Sequence, residues 1–138
     1  MSSAKFEAQT AIFSALTSSS AFMTVAGSLY DTPPDNKTYP YVCLETSNET
    51  PFNRHNRKGW NVYMTFGIYT KPGLLGSYPT EQIKAAMDIA LNLKRFSLTG
   101  TLIMVICKFF SCNDFKNQDI QGANVTYHVI VHDNANIN

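Results

Sequence analysis

Residues 59–70, GWNVYMTFGIYT, place Trp60, Val62, Met64, Phe66 and Ile68 at every second position, with Asn61, Tyr63, Thr65, Gly67 and Tyr69 between them. A period of two turns side chains alternately to the two faces of a sheet, so the stretch predicts a long antiparallel strand. One face is continuously apolar and has to be covered. The other is a mixed surface of hydroxyls and tyrosine rings that water or another subunit can meet. The cover follows in sequence. After the turn residues Lys71, Pro72, Gly73, Gly76 and Pro79, the segment 80–94 sets Ile83, Met87, Ala90 and Leu91 at helical spacing, with Ala86 small enough for close approach. A helix packed on a sheet is the expected kernel.

The flanking chain extends this pattern. Residues 3–18 predict a helix with Ser2 or Ser3 as N-cap and Phe6, Ile12, Phe13 and Leu16 on its apolar face. A second helical turn is expected over 21–26, ended by Gly27, then a short strand at 28–30 and a proline-bearing loop at 31–38. Residues 39–47 predict a strand whose early Pro40 suits a sheet edge. Residues 48–58, NETPFNRHNRK, read as a connection too long and irregular for a tight hairpin turn, and they carry Arg54, His55, Arg57 and Lys58 together. The apolar run in 101–113 predicts a strand buried on both faces, 114–123 a polar loop, and 124–133 a final alternating strand. The expected fold is α+β: a single domain over 1–133, with a mostly antiparallel sheet of four to five strands. An N-terminal and a central helix pack on one face, and 134–138 form a flexible tail.

Charge and chemistry narrow the function. Eleven basic and ten acidic side chains leave a net charge of +1, so no global field draws the chain to nucleic acid or an anionic membrane. No apolar run approaches a membrane span, and the start of the chain lacks the pattern of a secretory signal. The three cysteines, Cys43, Cys107 and Cys112, form no C-x-x-C pair and are expected as thiols rather than as a disulfide framework or zinc site. On a strand His128 and His132 share a face about 13 Å apart, too far for one metal. No nucleophile elbow, phosphate-binding glycine loop or H-E-x-x-H motif occurs. A Cys–His pair from Cys43 or Cys107 with His128 is the one nucleophilic arrangement to weigh, against inert core thiols. The expectation is a protein without catalytic residues, metal or cofactor. The cluster Arg54, His55, Arg57 and Lys58 is expected as a projecting contact loop, toward a protein neighbour or a lumen, with residues 114–121 as a second contact loop.

The ordered succession of AIFSAL, AFMTVAGSLYDTPP, TYPYVCLE, WNVYMTFGIYT, YPTEQIKAAMDIALNL and VTYHVIVHD resembles the tail-completion, or head-tail joining, family of long-tailed phages and prophages. The resemblance spans nearly the whole chain, and its strongest signals are the Gly-x-Leu-Tyr-Asp at 27–31 and the Tyr-Pro-Tyr-Val at 39–42. It implies a virion protein, made in the host cytoplasm, that assembles as a ring, a hexamer, at the head-proximal end of the tail tube. Its implied partners are further copies of itself, the tail tube protein, the head-tail connector or stopper, and double-stranded DNA passing without sequence-specific binding. Two other classes fit the residues: another structural component of the tail tube or capsid connector, and a small ligand-binding domain.

Overall fold

The computed structural model describes residues 3–32, 38–54, 57–73, 76, 78–117 and 119–133, and side chains within these except at 53–57. The chain runs through α1 (Ala4–Ser18), α2 (Ser20–Ala26), β1 (Leu29–Tyr30), β2 (Tyr41–Arg54), β3 (Arg57–Thr70), α3 (Tyr78–Leu91), β4 (Leu102–Lys116) and β5 (Gln121–Asp133). These build an α+β fold with one five-stranded sheet in the order β1-β2-β3-β5-β4. Every pairing is antiparallel except β1 with β2.

The period-two strand is the middle of the sheet, and its apolar face is the core. Val62, Met64, Phe66 and Ile68 are fully buried, joined by Val129, Tyr127, Val125 and Ala123 of β5 in the same rows. From α3, Ile83, Met87 and Leu91 close over them at the predicted spacing. The helix begins at Tyr78 and stops at Leu91, because Asn92 leaves the helix and Leu93 takes a positive φ of 63°. Leu93 and Lys94 instead bond to Cys107, the Leu93 amide donating to its carbonyl and its amide donating to Lys94. Thr70 and Thr80 hydroxyls, 2.9 Å apart and buried, tie the end of β3 to the first turn of α3.

In α1 the Ser3 hydroxyl accepts from the Phe6 amide, as an N-cap should. The buried stripe is Ala4, Ala8, Ile12 and Leu16, four residues apart. Phe6, expected inside, is 56 % exposed. The small Ala4 and Ala8 let the first half of the helix lie close to the sheet, and Phe6 falls outside their stripe. Phe13 is where expected, its ring 6.2 Å from that of Phe66. A second capped turn follows: Ser19 Oγ accepts from the Phe22 amide, and Gly27 ends α2 with φ of 79°.

Three expectations about the strands and their connections are overturned. Residues 48–54 and 57–58 are the distal half of a hairpin, not an irregular connection. The ladder of β2 with β3 continues from Tyr41↔Tyr69 through Asn48↔Tyr63 and Pro51↔Trp60 to Arg54↔Arg57. Its polar alternation hid it, and Pro51 is tolerated because β2 has no strand on its other side there among the described residues. Likewise 101–113 is not a strand buried on both faces but the first part of β4, an edge strand with Ile103, Lys108, Phe109 and Phe110 exposed. Bulges at Met104/Ile106 and Phe109/Ser111 each reset the alternation, so an unbroken apolar run serves both faces in turn. β4 also extends through Asp114 to Lys116 and β5 starts at Gln121, which leaves only four of the expected loop's residues, 117–120, between the strands. There Asn117 Oδ1 accepts from the amides of Asp119 and Ile120. The expected tail, 134–138, lies outside the described residues.

Candidate functional site

All three helices pack on one face of the sheet, and the opposite face carries no helix among the described residues. Register fixes what that face displays. At one end Tyr41, Tyr69, Gly122 and Phe115 form a row across four strands. Tyr41 stacks on Tyr69 with centroids 4.9 Å apart, and Tyr69 reaches Phe115 at 5.6 Å over the gap that Gly122 leaves. Burial first, and then the neighbouring Tyr39, push the Tyr41 phenol above its ordinary value. The Tyr69 hydroxyl donates to Glu45, the extra residue of the bulge between Leu44 and Thr46.

Midway, Thr65 and Thr126 bond hydroxyl to hydroxyl at 2.9 Å. The next row brings Asn48, Tyr63, His128 and Lys108 together. His128 Nε2 lies 2.8 Å from Asn61 Oδ1, its ring stacks on Tyr63 at 4.5 Å, and Phe110 meets Tyr63 edge-on at 5.1 Å. Partial burial, followed by the charge of Lys108, lowers the His128 pKa below 6.5. Farther along, Phe52 packs edge-on to His132 at 5.6 Å. The face is thus aromatic and hydroxylated, with a single cation, Lys108, in these rows.

The two hairpin ends lie at opposite poles of the sheet. β3 pairs with β5 from Thr70↔Gln121 to Gly59↔His132, so the β2–β3 end sits beyond the end of β5 while the 117–120 turn sits beside Thr70. At the first pole the register sets Arg54 opposite Arg57 and Asn53 opposite Lys58. Lys58 is exposed; His55 lies outside the described residues. Of the expected cluster, Arg54, Arg57 and Lys58 therefore lie on strands and not in a loop.

Along the other edge, a groove of about 300 Å³ separates α3 from β4, lined by Ala85, Asp88, Phe109, Cys112, Val125 and Tyr127. Lys84 closes one end, 2.9 Å from Glu81 and 3.1 Å from Asp114. Burial acts to lower its pKa, but the bonds to Glu81 and Asp114 prevail and hold it above the ordinary lysine value. No disulfide joins the three cysteines. Burial pushes Cys107 up to about 12, and desolvation also raises Cys112 despite Lys84. Neither Cys43 nor Cys107 meets His128: Cys107 faces the helices from the row of Val129, and Cys43 lies on the row of Gly67, away from that of Tyr63. Among the described residues no group of three or more His, Cys, Asp or Glu could hold a metal ion. No helix of the described residues is long and apolar enough to cross a membrane.

The sequence pattern set Tyr63 and Tyr69 on one mixed face but not the rows across strands, since Tyr63 and His128 meet only through the β3–β5 register. The only signal was the residue types between the apolar positions of the two strands.

Among the described residues the sheet is backed by helices on one face only and has its two hairpin ends at opposite poles. The family model described as tail completion protein gp17 matches residues 10–132, and the chain belongs to that family. It is a structural protein of the phage tail and a component of the virion. Among solved structures, a chain from the "Virion of native gene transfer agent (GTA) particle" superimposes with a TM-score of 0.80 at 18% identity, covering 95% of this chain and 99% of that one. At that identity the likeness establishes the fold. No curated protein matches the sequence.

Proposed function

We propose that the chain forms a closed ring that caps the head-proximal end of the tail tube and joins it to the head connector, leaving a lumen for double-stranded DNA. The observation that carries this reading is the polarity of the sheet: helices on one face, an opposite face without helices among the described residues, and hairpin ends at opposite poles. A ring of such sheets has two different rims, one for each neighbour. The Arg54, His55, Arg57 and Lys58 end would meet a protein ring on one side, and the 117–120 turn a different one on the other. The net charge of +1 suits a passage through which DNA must slide, since a strongly basic wall would hold phosphates. The family's name, tail completion, and the virion origin of the structural relative are in keeping with it. The ring is expected to be a hexamer.

Immunogold labelling of intact particles, with electron microscopy of particles made without the chain, tests the proposal. Label at the head-tail junction, with filled heads and separate tails accumulating in its absence, supports it. Label along the tube or on the capsid, or normal particles without the chain, overturns it in favour of a tube or connector component.

A further inference from the structure

The lateral contact of that ring can be specified from the free edges of the sheet; this step rests on the ring reading above. On its outer side β2 meets β1 only at Val42 and Cys43. Residues 44–54 of β2 thus have no second strand among the described residues. On its outer side β4 is bonded at Cys107, by Leu93 and Lys94, and at Phe109, whose amide donates to Asn92 Oδ1 at 2.8 Å. Residues 110–116 of β4 have no second strand among the described residues. β2 and β4 run antiparallel, with β3 and β5 between them. A copy placed sideways, with its helices on the same side, therefore brings β2 to β4 in antiparallel pairing.

The free stretches are not level within one sheet. Cys112 shares a row with Val125, Phe66 and Leu44, where the outer side of β2 is about to be taken by β1. Closing a sheet into a ring requires a stagger, and its direction follows from handedness. A right-handed β3–α3–β4 crossover, seen from the helix side with β3 pointing up, puts β4 on the right pointing up and β2 on the left pointing down. Strands of a closed barrel seen from outside rise to the right, so a perpendicular step from β4 to the next copy lands lower, at higher residue numbers along β2. Four strand spacings of about 4.8 Å and a tilt of about 35° give a displacement of about 13 Å, or about four residues. Four register steps beyond Leu44, with Glu45 as the extra residue of the bulge, bring Cys112 level with Glu49.

We infer that residues 110–116 of β4 pair with residues 45–51 of β2 in the next copy, making one continuous sheet whose helix-free face lines the lumen. The fit is independent of the stagger calculation. The pairing starts just past the β1 contact, ends at Pro51, whose missing amide closes the ladder, and clears the capped positions Cys107 and Phe109. It brings Ser111 level with Thr50 and Asn113 level with Asn48 on the helix-free face.

The test uses assembled particles carrying Asn48→Cys with Asn113→Cys in a Cys112→Ser background, treated with a mild oxidant and run on non-reducing gels. A ladder of linked copies, absent from either single cysteine variant, is expected. A ladder from Asn48→Cys with Lys108→Cys instead, the pair that is level without stagger, overturns the offset. If neither pair links but an amine cross-linker closes the chain into rings, the edge contact falls and the ring stands. If no reagent links copies, the ring reading itself falls. Hydrogen exchange on unsubstituted particles gives a second measurement: amides of 45–51 and 110–116 should exchange as slowly as those of the β3–β5 ladder. Exchange as fast as in residues 95–100 overturns the contact.

Discussion

The rings of Tyr63 and His128 lie 4.5 Å apart with their planes 5° from parallel, on the helix-free face of the sheet. The stack, the bond to Asn61 and the nearby Lys108 all act on the imidazole, and burial with Lys108 lowers its pKa below 6.5. The unfolded chain then binds more protons than the folded one between that lowered value and 6.5. Stability is complete above this window and falls as pH drops through it. The urea midpoint should therefore fall more for the wild type than for His128→Gln on going from about pH 7.5 to about pH 5.5. Equal falls in the two proteins would show that His128 is not held in its neutral form.

A close approach of backbones makes Gly122 the least replaceable glycine. A Cβ there would sit 1.7 Å from the Ile68 carbonyl oxygen, which belongs to the central ladder and cannot move aside. At Gly67 a Cβ would crowd Glu45 Oε1 and the Tyr69 ring, both ends of side chains that can turn away. Gly122→Ala should cost about 3 kcal/mol and Gly67→Ala about 1 kcal/mol in chemical denaturation. Equal costs at the two positions would contradict the close approach.

Along α3 the two isoleucines should behave as opposites. Ile83 is fully buried against the sheet and Ile89 is 76 % exposed on the far side. Ile83→Ala should lower stability by about 3 kcal/mol, combining lost transfer energy with a cavity, and Ile89→Ala by less than about 0.5 kcal/mol. Thermal unfolding of the two variants decides it; a comparable loss at Ile89 would place that face of the helix in contact with something.

The same contrast explains what could be read from the sequence. Val62 to Ile68 alternate with polar neighbours, and Ile83, Met87 and Leu91 repeat every four residues; each pattern follows from one element lying on one apolar surface. The distal hairpin was hidden because Asn48, Thr50 and Asn53 carry no apolar alternation; that stretch is a strand because β3 lies beside it. In β4 two bulges scramble the period. The basic cluster was visible as charge, whereas its place at a pole depends on the order of strands. That order places β5 between β3 and β4, and nothing local in the sequence records it.

The basic hairpin end supplies the sharpest functional prediction. Arg54 and Arg57 face each other as the last pair of the β2–β3 ladder, beyond the Gly59↔His132 pair that ends the contact with β5. Removing two like charges from facing positions relieves repulsion, so Arg54→Ala with Arg57→Ala should unfold within about 0.5 kcal/mol of the wild type. If this end docks on an acidic neighbour, the same variant should still enter tails, but the yield of joined, infectious particles should fall by about tenfold or more and further at high salt. Replacing both by lysine should restore most of the yield if charge alone is read, and little of it if paired hydrogen bonds from guanidinium are needed. Plaque counts together with micrographs of head-tail junctions read the outcome. Normal yields from the double alanine variant would remove this end from the docking surface and leave the 117–120 turn at the opposite pole as the remaining candidate.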